Sequence, residues 1–206
     1  MSPRLLLLAL PLLVALPARA QPSVALKGGL NTTFFSGDDV EDFGSDPRLG
    51  FVGGVQVRVP VTPTVAVQAE ALYSQKGDQF ENDLGFTEAT RLSYVEVPVM
   101  VRLGVPLSEF LDAGVSVGGY AGFPVTSDVT VDGTFEDELD AATDYGVLVG
   151  VDVGSGPFFV EGRYTAGLAE AVAFDPEFEF APDFRNQVVS FTVGYRFGGP
   201  RYYRRF

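Results

Sequence analysis

Two carboxylates, Glu70 and Glu96, fall midway along neighbouring alternating runs, "VAVQAEALYSQK" and "YVEVPVMVRL". On adjacent strands, such a pair could serve as the acid and base of a glycosidase. Nothing around them supplies a sugar cleft, and basic residues share their faces of the runs. We therefore read Glu70 and Glu96 as members of a salt-bridge network. Other reactive chemistry is excluded by composition. The 206 residues include no Cys and no His, which removes disulfides, thiolate nucleophiles, Ser–His pairs and Cys- or His-ligated metals. No catalytic residue, cofactor or metal is expected, and the chain reads as a non-enzyme.

Acid dominates the rest of the polar inventory. Twenty-seven Asp and Glu outweigh fourteen Lys and Arg, for a net charge of −13, and a nucleic-acid partner needs the opposite sign. "GDDVEDFGSD" (37–46) and "FEDELDAATD" (135–144) could gather a divalent cation through carboxylates. Neither has the full EF-hand spacing, and a solvated acidic surface is the preferred reading. "AVAFDPEFEFAPDF" (171–184) interleaves Phe174, Phe178, Phe180 and Phe184 with acids. These aromatics either anchor a partner or extend a strand wall. "NTT" at Asn31 matches a glycosylation pattern but falls inside a strand run, and we set it aside.

The elements that carry these residues begin after a leader. Arg4, the apolar run Leu5–Leu16 and "ARA" at 18–20 form a secretory signal peptide, cleaved after Ala20. The run is too short for a membrane helix, which needs roughly 20 apolar residues. Residues 21–206 then form one domain. Period-two alternation marks eight strands, near 23–35, 49–60, 64–76, 91–103, 111–123, 143–154, 157–168 and 187–197. Their connections alternate. "VTPT" (61–64), "GVPLSEF" (104–110) and "GSGP" (154–157) are tight-turn sequences, whereas 36–48, 77–90, 124–142 and 169–186 are long and acidic.

Short turns at one end and long loops at the other describe an up-and-down transmembrane barrel of the outer-membrane kind. In that arrangement Val95, Val97, Val99 and Val101 face lipid, while Glu96 and Arg102 point inward. The same parity puts Lys27, Arg58, Glu70, Asp112, Asp152, Glu161, Arg163 and Arg196 in the lumen. Confined charges require partners, and this set is balanced. Simple hairpin registers bring Arg102 near Asp112 and Glu161 near Arg196. Phe34, Phe51, Tyr73, Tyr145, Phe158 and Phe197 sit near strand ends, as interfacial girdles do. Gly28, Gly53 and Gly162 break the lipid face. Pro98 removes a ladder donor and calls for a bulge at that point. An eight-stranded barrel is just wide enough for side chains to fill, so the expected lumen is a plug of ion pairs. A soluble calycin-like carrier is the inverted alternative, with the valines lining a pocket.

Several stretches carry a resemblance. "LKGGLNTTFF", "GFVGGVQVRVPVTPTVAVQAEALYSQKG", "LSYVEVPVMVRL" and "VSFTVGYRF" together resemble the bacterial outer-membrane β-barrel family that includes PorT-like proteins. The runs E-x-L-Y-S-Q-K-G (70–77) and Y-x-E-V-P (94–98) are the most specific parts. The resemblance implies a small barrel in a Gram-negative outer membrane, with the lipid bilayer and the barrel-assembly machinery as its partners. It is expected to be a monomer, with protein or ion partners at the extracellular loops. Such chains often end on the aromatic of the last strand. Here Phe197 is followed by "GGPRYYRRF", so either Phe197 or Phe206 carries that signal. A structural or surface-interaction role follows, with a secretion or assembly accessory and a narrow solute channel as alternatives.

Overall fold

The computed structural model describes residues 21–36, 48–81, 87–131, 134–138, 143–170 and 185–198. The leader, the acidic stretch 37–46 and the Phe-rich segment 171–184 lie outside the described residues. Nine strands follow one another: β1 (Ser23–Ser36), β2 (Arg48–Pro60), β3 (Val65–Glu81), β4 (Thr87–Pro106), β5 (Leu111–Val131), β6 (Thr134–Glu138), β7 (Asp144–Ser155), β8 (Phe158–Glu170) and β9 (Arg185–Gly198). Every pairing is antiparallel. Eight of the strands close into a wall, with β1 paired to β9 and β4 paired to β5. Strand β6 pairs only with the far end of β5, extending one hairpin without joining the wall.

The short connections form as their sequences require. Val61 and Thr62 donate backbone N–H groups to the Val65 carbonyl at 2.8 and 3.0 Å. The Thr62 hydroxyl accepts from the Val65 N–H at 2.9 Å. Gly156 takes a φ of +59° in the turn between β7 and β8, a conformation that costs a residue with a Cβ. At the other end β3, β4 and β5 run past their expected limits, to Glu81, from Thr87 and to Val131.

The two faces settle which side of the wall is apolar. Along β7, every second side chain from Asp144 to Gly154 is buried and its neighbours are exposed. The exposed set is Tyr145, Val147, Val149, Val151 and Val153. On β4, Val95, Val97, Val99 and Val101 are likewise exposed, Val99 by 52%. The buried face instead holds Lys27, Glu70, Lys76, Arg102, Asp152 and Arg163. A soluble carrier would require the reverse, so that alternative falls. Aromatic side chains mark both margins of the apolar surface. Phe51, Tyr73 and Tyr145 ring the long-loop end. At the short-turn end Tyr195 packs edge-on against Phe158 and Phe197, with ring centroids 5.2 and 4.8 Å apart.

Two local irregularities have explanations that the sequence did not offer. Gly28 and Gly53 lie beneath the Phe51 ring: a Cβ on Gly53 would meet its Cζ at 3.0 Å, and one on Gly28 would meet it at 3.8 Å. The aromatic ring covers the gap that the glycines leave on the outer wall. The bulge expected at Pro98 is not there. The β3–β4 ladder passes from Ala69↔Val99 to Leu72↔Glu96 with no change of register. The shift in β4 falls instead between Ser93 and Tyr94, on the β5 side. Pro98 is fully buried and still aligned with Tyr120, so the missing donor is absorbed by a gap in one ladder.

Candidate functional site: the ion-paired lumen

Inward-pointing residues stack in three layers along the barrel axis. The middle layer is made by β1, β3 and β8. Lys27 reaches Glu70 Oε1 at 3.0 Å and Glu161 Oε1 at 2.9 Å. Arg163 meets the same two acids, at 2.8 Å from Glu70 Oε2 and 2.6 Å from Glu161 Oε1. Gln68 Nε2 donates to Glu70 Oε1 at 2.8 Å. Two cations and two anions thus form a closed, neutral ring with hydrogen bonds in every direction, as buried charges demand.

Among the described residues, the layer nearest the long loops has one cation. Lys76 Nζ lies 2.6 Å from Glu96 Oε1 and 2.8 Å from Asp144 Oδ2. Its ammonium also stands 5.3 Å from the Tyr94 ring centroid and 4.8 Å from that of Tyr120, both within cation–π range. Parity on β3 already placed Lys76 inside, but it was not counted among the network residues. Asp144 was grouped with the acidic loop. Its even-numbered spacing from Asp152 in β7 was the signal that it turns inward. Its Oδ2 is taken by Lys76. Among the described residues, no group of carboxylates is arranged to hold a metal.

The short-turn layer is built around Arg102. Its Nε donates to Asp152 Oδ1 at 2.7 Å, and its Nη2 reaches Asp152 Oδ2 at 2.6 Å and Asp112 Oδ2 at 2.8 Å. Arg102 stands opposite Ser116 in the ladder, not opposite Asp112. The contact forms because the guanidinium runs over Gly104 and Gly114, where a Cβ would come within 2.0 and 2.4 Å of it. The companion pairing, Glu161 with Arg196, does not form. Glu161 is aligned with Thr192 and is taken by Lys27 and Arg163, while Arg196 stacks on the intervening Phe159 ring at 5.2 Å. Arg58 donates through Nε to Gln68 Oε1 at 2.9 Å and stays 3.7 Å from Asp152 Oδ1.

Of the ten lumen residues anticipated from the sequence, eight are buried, Asp112 and Arg196 are half-buried, and Lys76 and Asp144 join the buried set. Glu70 and Glu96 sit in different layers with different cations, an arrangement that gives no acid–base pair facing a cleft. Asn31 of the "NTT" pattern is buried and donates to Ser74 Oγ at 2.9 Å. Between the middle and upper layers lies an internal cavity of only about 10 Å³, bordered by Lys27, Lys76, Glu96 and Arg163, room for a single water.

Comparisons place this architecture. Among curated proteins, no relative matches the chain. Among solved structures, the fold is similar to Neisserial surface protein A, with 10% identity, a TM-score of 0.50 and coverage of 85% of this chain and 97% of that one. It is also similar to the outer membrane protein OprG from Pseudomonas aeruginosa, with 10% identity, a TM-score of 0.48 and coverage of 85% and 95%. A third similar structure is Ail of Yersinia pestis, with 15% identity, a TM-score of 0.44 and coverage of 86% and 99%. A family profile described as outer membrane protein beta-barrel domain matches residues 19–172. The chain, a closed barrel of the outer membrane with lipid against its valines, belongs to the outer membrane protein beta-barrel domain family.

Proposed function

We propose that this barrel is a non-enzymatic structural or surface-interaction protein whose contacts with other molecules are made at its long-loop end. One observation carries the reading: among the described residues the lumen is filled by charged and polar side chains, most of them ion-paired. An interior filled in this way leaves little passage, and the loops are then the larger working surface. With the short turns in the periplasm, the long acidic loops face outward from the cell, and the leader at 1–20 delivers the chain for export. The PorT-like resemblance supports a second reading, an accessory role in secretion or assembly. Its two most specific runs supply Glu70, Ser74 and Lys76 on β3 and Tyr94, Glu96 and Pro98 on β4. All six are buried in the lumen, so the resemblance is largely one of plug residues.

Planar-bilayer recording with the refolded mature chain tests the central claim. A silent trace is expected, and steady stepwise conductance would replace the reading with a channel. Deleting 171–184, or replacing Phe178 and Phe180 by Ser, is expected to weaken adhesion or partner capture while leaving the heat-modifiable gel band intact. Unchanged capture would remove that loop from the working surface.

A further inference from the structure

The three layers of the plug are not equally satisfied. In the short-turn layer three guanidiniums, Arg58, Arg102 and Arg196, share two carboxylates, Asp112 and Asp152. Arg102 takes hydrogen bonds to both. Arg58 Nη2 is left 3.7 Å from the nearest acid, beyond hydrogen-bond range, and has no acceptor. Arg196 is held by one flat face against Phe159, and its Nε and Nη2 are buried without any hydrogen-bond partner. Arg58 and Arg196 lie on the two strands that flank β1, aligned with Ser23 and Ala25. Arg58 is 92% buried by its relative exposure of 8%, so water screens it poorly. Elsewhere in the lumen every cation is matched by at least one carboxylate within 3.0 Å. Unpaired buried donors on charged groups are costly, and the cost is greater where two like charges stand together. With three guanidiniums to two carboxylates among the described residues, this layer carries one uncompensated positive charge.

We propose that the short-turn mouth of the barrel holds a small oxyanion, phosphate in size and chemistry, between the guanidiniums of Arg58 and Arg196. Planar guanidinium edges are suited to oxyanions because parallel N–H donors meet adjacent oxygens. The entry is from the mouth itself, where the Asp112 side chain is 33% exposed. Asp112 is also the competing anion, since it already accepts from Arg102 in the same layer. The inference does not depend on which side of the membrane that mouth faces.

The test is calorimetric titration of inorganic phosphate into the refolded full mature chain in zwitterionic detergent, at constant ionic strength. The heat-modifiable gel band serves as the check on folding. Saturable binding of one phosphate per barrel is expected, weakened about tenfold or more in Arg196→Gln through loss of charge-assisted hydrogen bonds. Asp112→Asn is expected to bind phosphate several-fold more tightly, because it removes the competing charge while leaving both arginines in place. If Arg196→Gln fails to fold, Asp112→Asn decides: tighter binding supports the site, and unchanged or weaker binding overturns it. Folded wild-type barrel that takes up no phosphate saturably, or folded Arg196→Gln that binds it as well as wild type, also overturns the proposal.

Discussion

The two ends of the plug solve the same problem in opposite ways. Near the long loops one ammonium, Lys76, serves two carboxylates and two aromatic rings. Near the short turns a single guanidinium, Arg102, serves two carboxylates while two further arginines stand by. The first arrangement is a hub: its stability hangs on one side chain, and its surplus charge is negative. The second is redundant in cations, and its surplus is positive. The difference teaches that a neutral lumen need not be neutral layer by layer. Among the described residues six cations and six anions face the interior, yet the balance is struck over the length of the barrel.

Removing the hub is the strongest way to break that comparison. Lys76→Met removes the cation that Glu96 and Asp144 share, and we expect a loss of about 3–5 kcal/mol in unfolding free energy, measured by urea titration of the lipid-refolded barrel. The triple change Lys76→Met, Glu96→Gln, Asp144→Asn is expected to recover most of that loss. Failure to recover would mean that the layer contributes packing rather than charge balance. An outward control sharpens the contrast between lumen and wall. Val149→Arg, midway along the exposed face of β7, should cost about 2–4 kcal/mol by the same measurement. No loss there would sink the assignment of the valines to lipid. Asp152→Asn ranks next, at about 1–3 kcal/mol, because Asp112 remains to hold Arg102. The smallest effect is expected from Asp112→Asn. Its side chain is one-third exposed, so its pair with Arg102 is worth less than about 1 kcal/mol. A cost equal to that of Lys76→Met would erase the distinction between hub and redundant layer.

Most of the wall could be read from the sequence, because alternation is a direct record of two environments. Strands β1, β2, β7 and β9 start and stop within two residues of their expected limits. The extensions of β3, β4 and β5, and the whole of β6, could not be read. Stretches such as "TEATRLS" (87–93) and "PVTSDVTV" (124–131) are polar or mixed on both faces, so nothing distinguishes them from loop. Ion pairs were legible in part for a different reason. Parity gives the face of each side chain, but a contact also needs register. Both pairings expected across hairpins, Arg102 with Asp112 and Glu161 with Arg196, assumed a register four residues away from the one that forms. The first survived because arginine is long and glycines clear its path. The second failed because Phe159 stands in the way and Glu161 has nearer partners. Lys76 and Asp144 required only a consistent application of parity.

The middle layer has a bearing on how the barrel is made. Lys27 of β1 meets Glu70 across 43 residues of chain and Glu161 across 134, so no single hairpin contains a matched set. Until the first and last strands meet, Lys27 lacks Glu161 and Glu70 lacks Arg163, so the middle layer is left with unpaired charge. An unclosed sheet carrying such charge is a poor solute for hydrocarbon, which tolerates neither open edges nor unpaired ions. Closure and insertion are therefore tied together. The ring of Lys27, Glu70, Glu161 and Arg163 acts as a latch that engages only when the last seam is sewn.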